Sequence, residues 1–262
     1  MATIIALTNQ KGGVGKTTTS SALAAGLASF YDKKVLAIDL DPQGSLGFSL
    51  GLDIEDCSNI YDVLKGSVSI SEAIQTTDYC DIVTSNILLS SAELEFTSTD
   101  RELLLKKALA PVVANYDYII IDTPPALNIL TVNAYASSDH LIIPMAPEIL
   151  SLLGVTQLKE TIDSVRQSLN PSLHVLGIIL TRYNGRTLLA REVKEMAENI
   201  ASQIGTCVFR TQIRPSVTVA EAPAHGVSVF EHAPRSNPSL DYQDFVGEVL
   251  SMIEKKQTQE VQ

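Results

Sequence analysis

The ten residues Asn9-Gln10-Lys11-Gly12-Gly13-Val14-Gly15-Lys16-Thr17-Thr18 constrain this chain more than any other stretch of it. They follow the apolar run Ile4–Thr8 and open the Ala/Leu/Ser-rich segment Lys16–Ser29, so strand, glycine loop and helix come in immediate succession. That succession is the context a phosphate-binding loop requires. Glycines 12, 13 and 15 let backbone N–H groups turn inward on phosphate oxygens without interference from a Cβ. The helix that follows points its positive dipole end at the same anion. In this reading Gly12, Gly13, Val14, Gly15, Lys16, Thr17 and Thr18 hold the nucleotide. Lys16 reaches the β- and γ-phosphates, and the Thr17 hydroxyl ligates Mg²⁺. The generic pattern G-x-x-x-x-G-K-[ST] is not strictly met, because its first glycine would fall at Gln10. An extra lysine, Lys11, stands at the start of the loop instead.

Further short, β-branched, non-alternating runs recur along the chain: Val35–Asp39, Cys80–Thr84, Tyr118–Asp122, His140–Met145, Val175–Thr181 and Cys207–Arg210. Such runs suit strands buried on both faces of a parallel sheet. Helical stretches lie between them at Arg101–Ala110, Ser151–Leu169 and Thr187–Ile204, and a closing helix is read at Tyr242–Lys256. The alternation implies βαβ units with right-handed crossovers. The predicted fold is therefore α/β, a P-loop type doubly wound, mostly parallel twisted sheet with helices on both faces. Residues 1–257 read as one domain and 258–262 as a frayed polar tail. The least regular part, Gly44–Asp100, should hold short helices and connections. Cys57, Cys80 and Cys207 are far apart in sequence, no stretch nears the length of a membrane span, and no basic leader opens the chain. The expectation is a soluble cytoplasmic protein.

Three acids sit where strands end. Asp122 closes Tyr118–Ile121, at the edge of the sheet where ligands of open α/β folds bind. There it can hold Mg²⁺ through water, or it can simply cap the turn at Thr123–Pro125. Asp39 and Asp41 bracket the exit of the second strand, a position equally suited to Asx turns.

The chain resembles the ParA/Soj-type deviant Walker A ATPases that partition chromosomes and plasmids. The resemblance rests on N-Q-K-G-G-V-G-K-T-T-T near the start, Asp39-Leu40-Asp41-Pro42-Gln43-Gly44 and Ile120-Ile121-Asp122-Thr123-Pro124-Pro125. Glu221-Ala222-Pro223-Ala224-His225-Gly226 completes it late in the chain. It implies a slow ATP hydrolase that uses ATP and Mg²⁺. It assigns Asp41 to the attacking water, with Lys11 and Lys16 on the phosphates and Thr17, Asp39 and Asp122 around the metal. It implies an ATP-dependent homodimer in which Lys11 crosses the two-fold axis to the partner's nucleotide, near an interface position matched by Glu148. Arg182 and Pro215 are candidates to flank the adenine. The implied partners are a centromere-binding, ParB-like protein and non-specific DNA, with no membrane and with nucleoid association in the ATP state. The alternative is a membrane-surface positioning ATPase of the MinD kind. That kind needs a basic amphipathic C-terminal helix, and the last stretch offers only Lys255 and Lys256.

Net charge is −11, which excludes a protein that coats nucleic acid by bulk positive charge. The charge is unevenly placed. Between residues 182 and 214 six basic side chains face three acidic ones. Arg186, Arg191, Lys194 and Arg214 are the candidate DNA contacts, with affinity expected to fall steeply as salt rises. Thr218 stands where the resembled family carries a further DNA-contacting arginine.

Overall fold

Strands form here because each apolar run is rich in β-branched residues that can bury both of its faces. The computed structural model describes residues 1–52 and 57–260, apart from the side chains of 149–156, 257, 259 and 260. Its strands are β1 Thr3–Leu7, β2 Val35–Asp39, β3 Gln75–Thr76, β4 Asp81–Val83, β5 Tyr118–Asp122, β6 His140–Met145, β7 His174–Leu180 and β8 Val208–Gln212. Among the described residues they make one sheet in the order β3-β4-β2-β5-β1-β6-β7-β8. Every pairing is parallel except that of the two-residue edge strand β3 with β4.

Helix α1, Lys16–Tyr31, follows the glycine loop. The irregular segment after β2 holds short helices, as its composition predicts: α2 Ser45–Ser49, α3 Ile60–Lys65, α4 Ile70–Ala73 and α5 Ala92–Glu95. They are followed by α6 Leu104–Leu109, α7 Ile129–Ser137, α8 Ile149–Ser168 and α9 Leu188–Gln203. The chain closes with α10 Thr218–Ala224, α11 Val229–His232 and α12 Asn237–Glu260. Helix α12 runs past the point where a frayed tail was expected, so residues 258–260 are helical. Glutamine and glutamate extend an already nucleated helix at little cost, and the Thr258 hydroxyl donates back to the Glu254 carbonyl at 2.9 Å. Residues 261 and 262 lie outside the described residues.

Successive strand residues feed two separate cores. Ile119 and Ile121 pack with Leu130 and Tyr135 of α7 and Ile162 of α8 on one face. Tyr118 and Ile120 pack with Leu23 and Leu27 of α1 and Phe245 and Val249 of α12 on the other. This two-sided burial is why the strand sequences do not alternate with polar residues.

Candidate functional site

Register builds the site. Strand β5 lies between β1 and β2, pairing Leu7 with Asp122 and Asp122 with Asp39. The glycine loop leaves β1 directly after Leu7, so the loop, Asp122 and the Asp39–Asp41 turn emerge side by side at the carboxyl edge of the sheet. That edge is where open α/β sheets bind ligands.

The loop takes the shape its glycines permit. Gly13 and Gly15 sit at φ 73° and 86°, in the left-handed region that L side chains avoid. Between them Val14 is fully buried, and its carbonyl accepts a hydrogen bond from the Thr181 hydroxyl at 2.8 Å. Gly15 is the N-cap of helix α1, which has no side-chain cap and no acid in its first turn. Its first N–H groups are thus left for an anion. Lys16 is buried, with Nζ 3.4 Å from the Lys11 carbonyl. Burial lowers its pKa, while Asp122 and then Asp41 pull it back up.

Asp122 is fully buried and accepts from Thr17 Oγ1 at 2.6 Å and from Ser20 Oγ at 2.9 Å. Burial pushes its carboxyl up to about 6, against the opposing pull of Thr17, Ser20 and Lys16. The Thr17 hydroxyl and the Asp122 carboxylate are a hard-oxygen pair of the kind that holds Mg²⁺ beside a phosphate. The uncapped helix, the buried lysine and this pair therefore fit a magnesium nucleotide.

Asp39 has a different surrounding from the one expected of a magnesium neighbour. Both of its carboxylate oxygens are engaged by backbone: Oδ1 accepts from Asp41 N and Oδ2 from Leu46 N, each at 2.9 Å. Burial, then Asp122, holds its pKa well above the ordinary carboxylate value. Asp39 thus braces the turn that carries Asp41, the Asx-type geometry its sequence position also allowed. Asp41 itself is half-buried, and its Oδ1 accepts from Gln43 N at 3.1 Å.

Beside the loop lies a cleft of about 210 Å³ lined by Gly13, Gly15, Thr18, Thr181, Arg182, Ile213, Arg214, Ser216, Val219, Ala220 and Tyr242. Thr18 and Arg182 both line it, with Arg182 itself in the left-handed region at φ 50°. Pro215 does not line this cleft. It lines the adjoining depression with Tyr183, Arg186 and Asn237. The strand-to-helix turn points Ile213 and Val219 at the cleft and Pro215 away from it.

Lys11 makes an ion pair within its own chain, with Glu148 at the exit of β6. The same carboxylate holds Arg182 at 3.2 Å. Among the candidate DNA contacts, Arg186 and Arg191 are exposed and Lys194 half-buried. Arg214 is committed elsewhere. Its guanidinium forks onto Asp241, with Nε 2.9 Å and a terminal nitrogen 2.6 Å from the two carboxylate oxygens. Thr218 opens α10, its hydroxyl 2.9 Å from that of Ser216.

Two site residues were not legible beforehand: Ser20 and Ser85, whose hydroxyl donates to the Asp41 carbonyl. Ser20 could have been found, because it lies one helical turn beyond Thr17 and so faces the same acid.

Comparison with known proteins agrees with this geometry. Residues 2–175 match a family described as an AAA domain. The chain is 42% identical over 257 residues to the sporulation initiation inhibitor protein Soj of Bacillus subtilis, covering 96% of this chain and 99% of that one. A putative plasmid partition protein of Borrelia burgdorferi, solved with AMPPNP, superposes with a TM-score of 0.78 at 28% identity, covering 98% of this chain and all of that one. Cobyrinic acid a,c-diamide synthase of Mycobacterium smegmatis, solved with ADP and magnesium, gives a TM-score of 0.80 at 33% identity, covering 97% and 96%.

Proposed function

Because the chain belongs to the ParA/Soj-type partitioning ATPases, we propose that it is a switch that dimerises on ATP and is reset by hydrolysis. The observation that carries the reading is the pair of lysines on one glycine loop. Lys16 is buried over the loop and is placed to serve the chain's own nucleotide. Lys11, at the loop's entrance, is partly exposed, and among the described residues its ammonium is held by a surface carboxylate, Glu148. A second lysine there is of use if it leaves Glu148 and neutralises the phosphates of a nucleotide bound to a second copy, as an arginine finger does in trans.

Magnesium ATP would supply the transferred phosphoryl group and part of its counter-charge. The chain's residues supply the rest. The loop amides and Lys16 bind the phosphates, Thr17 and Asp122 hold the metal, and Asp41 orients the attacking water. Ile213, Val219 and Arg182 offer the base an apolar wall and a planar cation, a role in which Ile213 and Val219 replace Pro215. Dimerisation is then linked to the γ-phosphate, and hydrolysis releases the dimer. The biological output is segregation of chromosome or plasmid DNA. The ATP dimer binds DNA non-specifically through Arg186, Arg191 and Lys194 and associates with the nucleoid. A centromere-binding, ParB-like partner accelerates an intrinsically slow turnover.

Sedimentation with ATP and Mg²⁺ tests the switch. Asp41→Ala should accumulate as dimer and Lys11→Ala should stay monomeric while still binding ATP. A Lys11→Ala dimer would refute the lysine's crossing role. A gel shift with a non-hydrolysable analogue at low and moderate salt tests the DNA output. No shift at either salt would remove DNA from the reading.

A further inference from the structure

The backbone of Asp41 is held from two sides, and only one of them is its own strand exit. Its N–H donates to Asp39 Oδ1 at 2.9 Å. Its carbonyl accepts from Gly44 N at 3.0 Å, closing the Asp41-Pro42-Gln43-Gly44 turn. The same carbonyl accepts a second hydrogen bond, from the Ser85 hydroxyl, which arrives from the next strand. Strands β2 and β4 pair through Leu36–Asp81, Ala37–Ile82 and Ile38–Val83, so their exits run side by side and Ser85 reaches across. Ser85 is 1% exposed. Bulk solvent does not reach its hydroxyl, and leaving it unpaired there would cost the full desolvation of a buried polar group.

We propose that Ser85 is a positioning residue for the hydrolytic step: its buried hydroxyl fixes the Asp41 carbonyl, and with it the direction in which the Asp41 carboxylate addresses the phosphate loop. The proposal rests on Asp41 being the water-orienting acid. The turn itself is short and partly exposed, with Pro42 half-buried and Gln43 in solvent, so packing alone does not hold it. Asp39 clamps its first peptide and Ser85 clamps the next. Without Ser85 the Asp41 carbonyl is held only from inside its own turn, by Gly44 N, so the turn loses its tie to the β4 exit and can shift the carboxylate while leaving the glycine loop, Lys16 and Thr17 untouched. Orientation errors of about 1 Å cost up to roughly a hundredfold in rate, whereas ground-state binding, which depends on the loop, is unaffected.

Phosphate release by the full chain at saturating ATP, together with the affinity for a fluorescent non-hydrolysable analogue, tests this in Ser85→Ala, Ser85→Thr and Asp41→Ala. For Ser85→Ala the expected result is a fall in kcat of about tenfold to a hundredfold with analogue affinity unchanged. Ser85→Thr, which keeps the hydroxyl, should recover most of that loss. A merely structural hydroxyl would lower the melting temperature and leave kcat alone, and that result overturns the proposal. So does a loss confined to affinity, or a Ser85→Thr as slow as Ser85→Ala while equally well folded. Asp41→Ala separates the two layers. If it keeps turning over, the assignment of Asp41 falls and the role of Ser85 with it. If it is inactive while Ser85→Ala is fully active, only the role of Ser85 falls.

Discussion

If Lys11 must leave Glu148 before it can serve a second copy, the ion pair within the chain opposes dimerisation by its own free energy. The structure bounds that quantity. The Lys11 and Glu148 side chains are 26% and 47% exposed, so the pair is solvent-screened and worth about 0.2–1 kcal/mol. A symmetric dimer breaks two such pairs, giving roughly 0.4–2 kcal/mol, or about two- to thirtyfold in the dimer dissociation constant. Glu148→Gln keeps the shape and removes the charge. It should tighten ATP-dependent dimerisation by that factor and change monomer stability by less than about 1 kcal/mol. Sedimentation velocity over a concentration series with a non-hydrolysable ATP analogue reads the first, and urea denaturation the second. Because the pair is exposed, the advantage of the variant should shrink at about 0.5 M salt, where screening removes it. A dimer no tighter, or weaker, than the wild type would refute the reasoning. Glu148 would then be contributing across the interface rather than restraining Lys11.

Lys16→Ala should abolish nucleotide binding, and an unchanged affinity for fluorescent ATP would remove the phosphate-loop assignment. Gly226 sits at φ 64° with an added Cβ only 2.8 Å from the Gly51 backbone, so Gly226→Ala should cost about 1–3 kcal/mol in urea denaturation. A neutral variant would show that this close packing of the late loop on the segment after α2 is dispensable. Burial, followed by Lys256 and His174, pushes His140 down to about 4 from 6.5. Between those values the unfolded chain binds the extra proton, so stability is fully present above pH 6.5 and falls by about 3 kcal/mol as pH drops to 4. Replacing His140 by Phe should flatten that part of the stability profile, and an unchanged slope would exclude the histidine as its source.

What could be read from the sequence followed from local chemistry, and what could not depended on distant partners. The strand ending at Asp122 was legible because four consecutive buried residues need a two-sided sheet position, and its carboxylate had to emerge at the ligand edge. Helix α7 was not, because eight of its nine residues are buried and it shows no polar face to set a helical period. Helix α10 was hidden by Pro223 and by the β-branched pair Thr218-Val219. Arg214 read as a free cation because nothing local marks Asp241, 27 residues later, as its partner. The Lys11–Glu148 pair spans 137 positions and is fixed only by the parallel register that sets the ends of β1 and β6 side by side. Pro215 lines a different depression from its neighbours Ile213 and Val219, because the turn between them sends adjacent side chains to different sides.

The electrostatics of the site suit the proposed switch. Burial raises Asp122 to about 6, raises Asp39 and lowers Lys16, so each of these three groups is held in surroundings that disfavour its charge. Among the described residues, hydroxyl and backbone groups and the attraction between Lys16 and Asp122 relieve them. A divalent cation beside Asp122 and phosphate oxygens beside Lys16 would remove the same penalties at once, and they can do so only in the folded chain. Binding free energy therefore appears as stability, about 2.7 kcal/mol for a ligand at a hundred times its dissociation constant. The loop, the Asp41 turn and α1 should tighten together when nucleotide enters, since all three are attached to the strained groups. Loss of the γ-phosphate would withdraw one of the two phosphates proposed for Lys16 and leave the metal-binding pair in place. The change between the two nucleotide states is then concentrated at the two lysines and at the turn clamped by Asp39 and Ser85, which is where a second copy would meet the site.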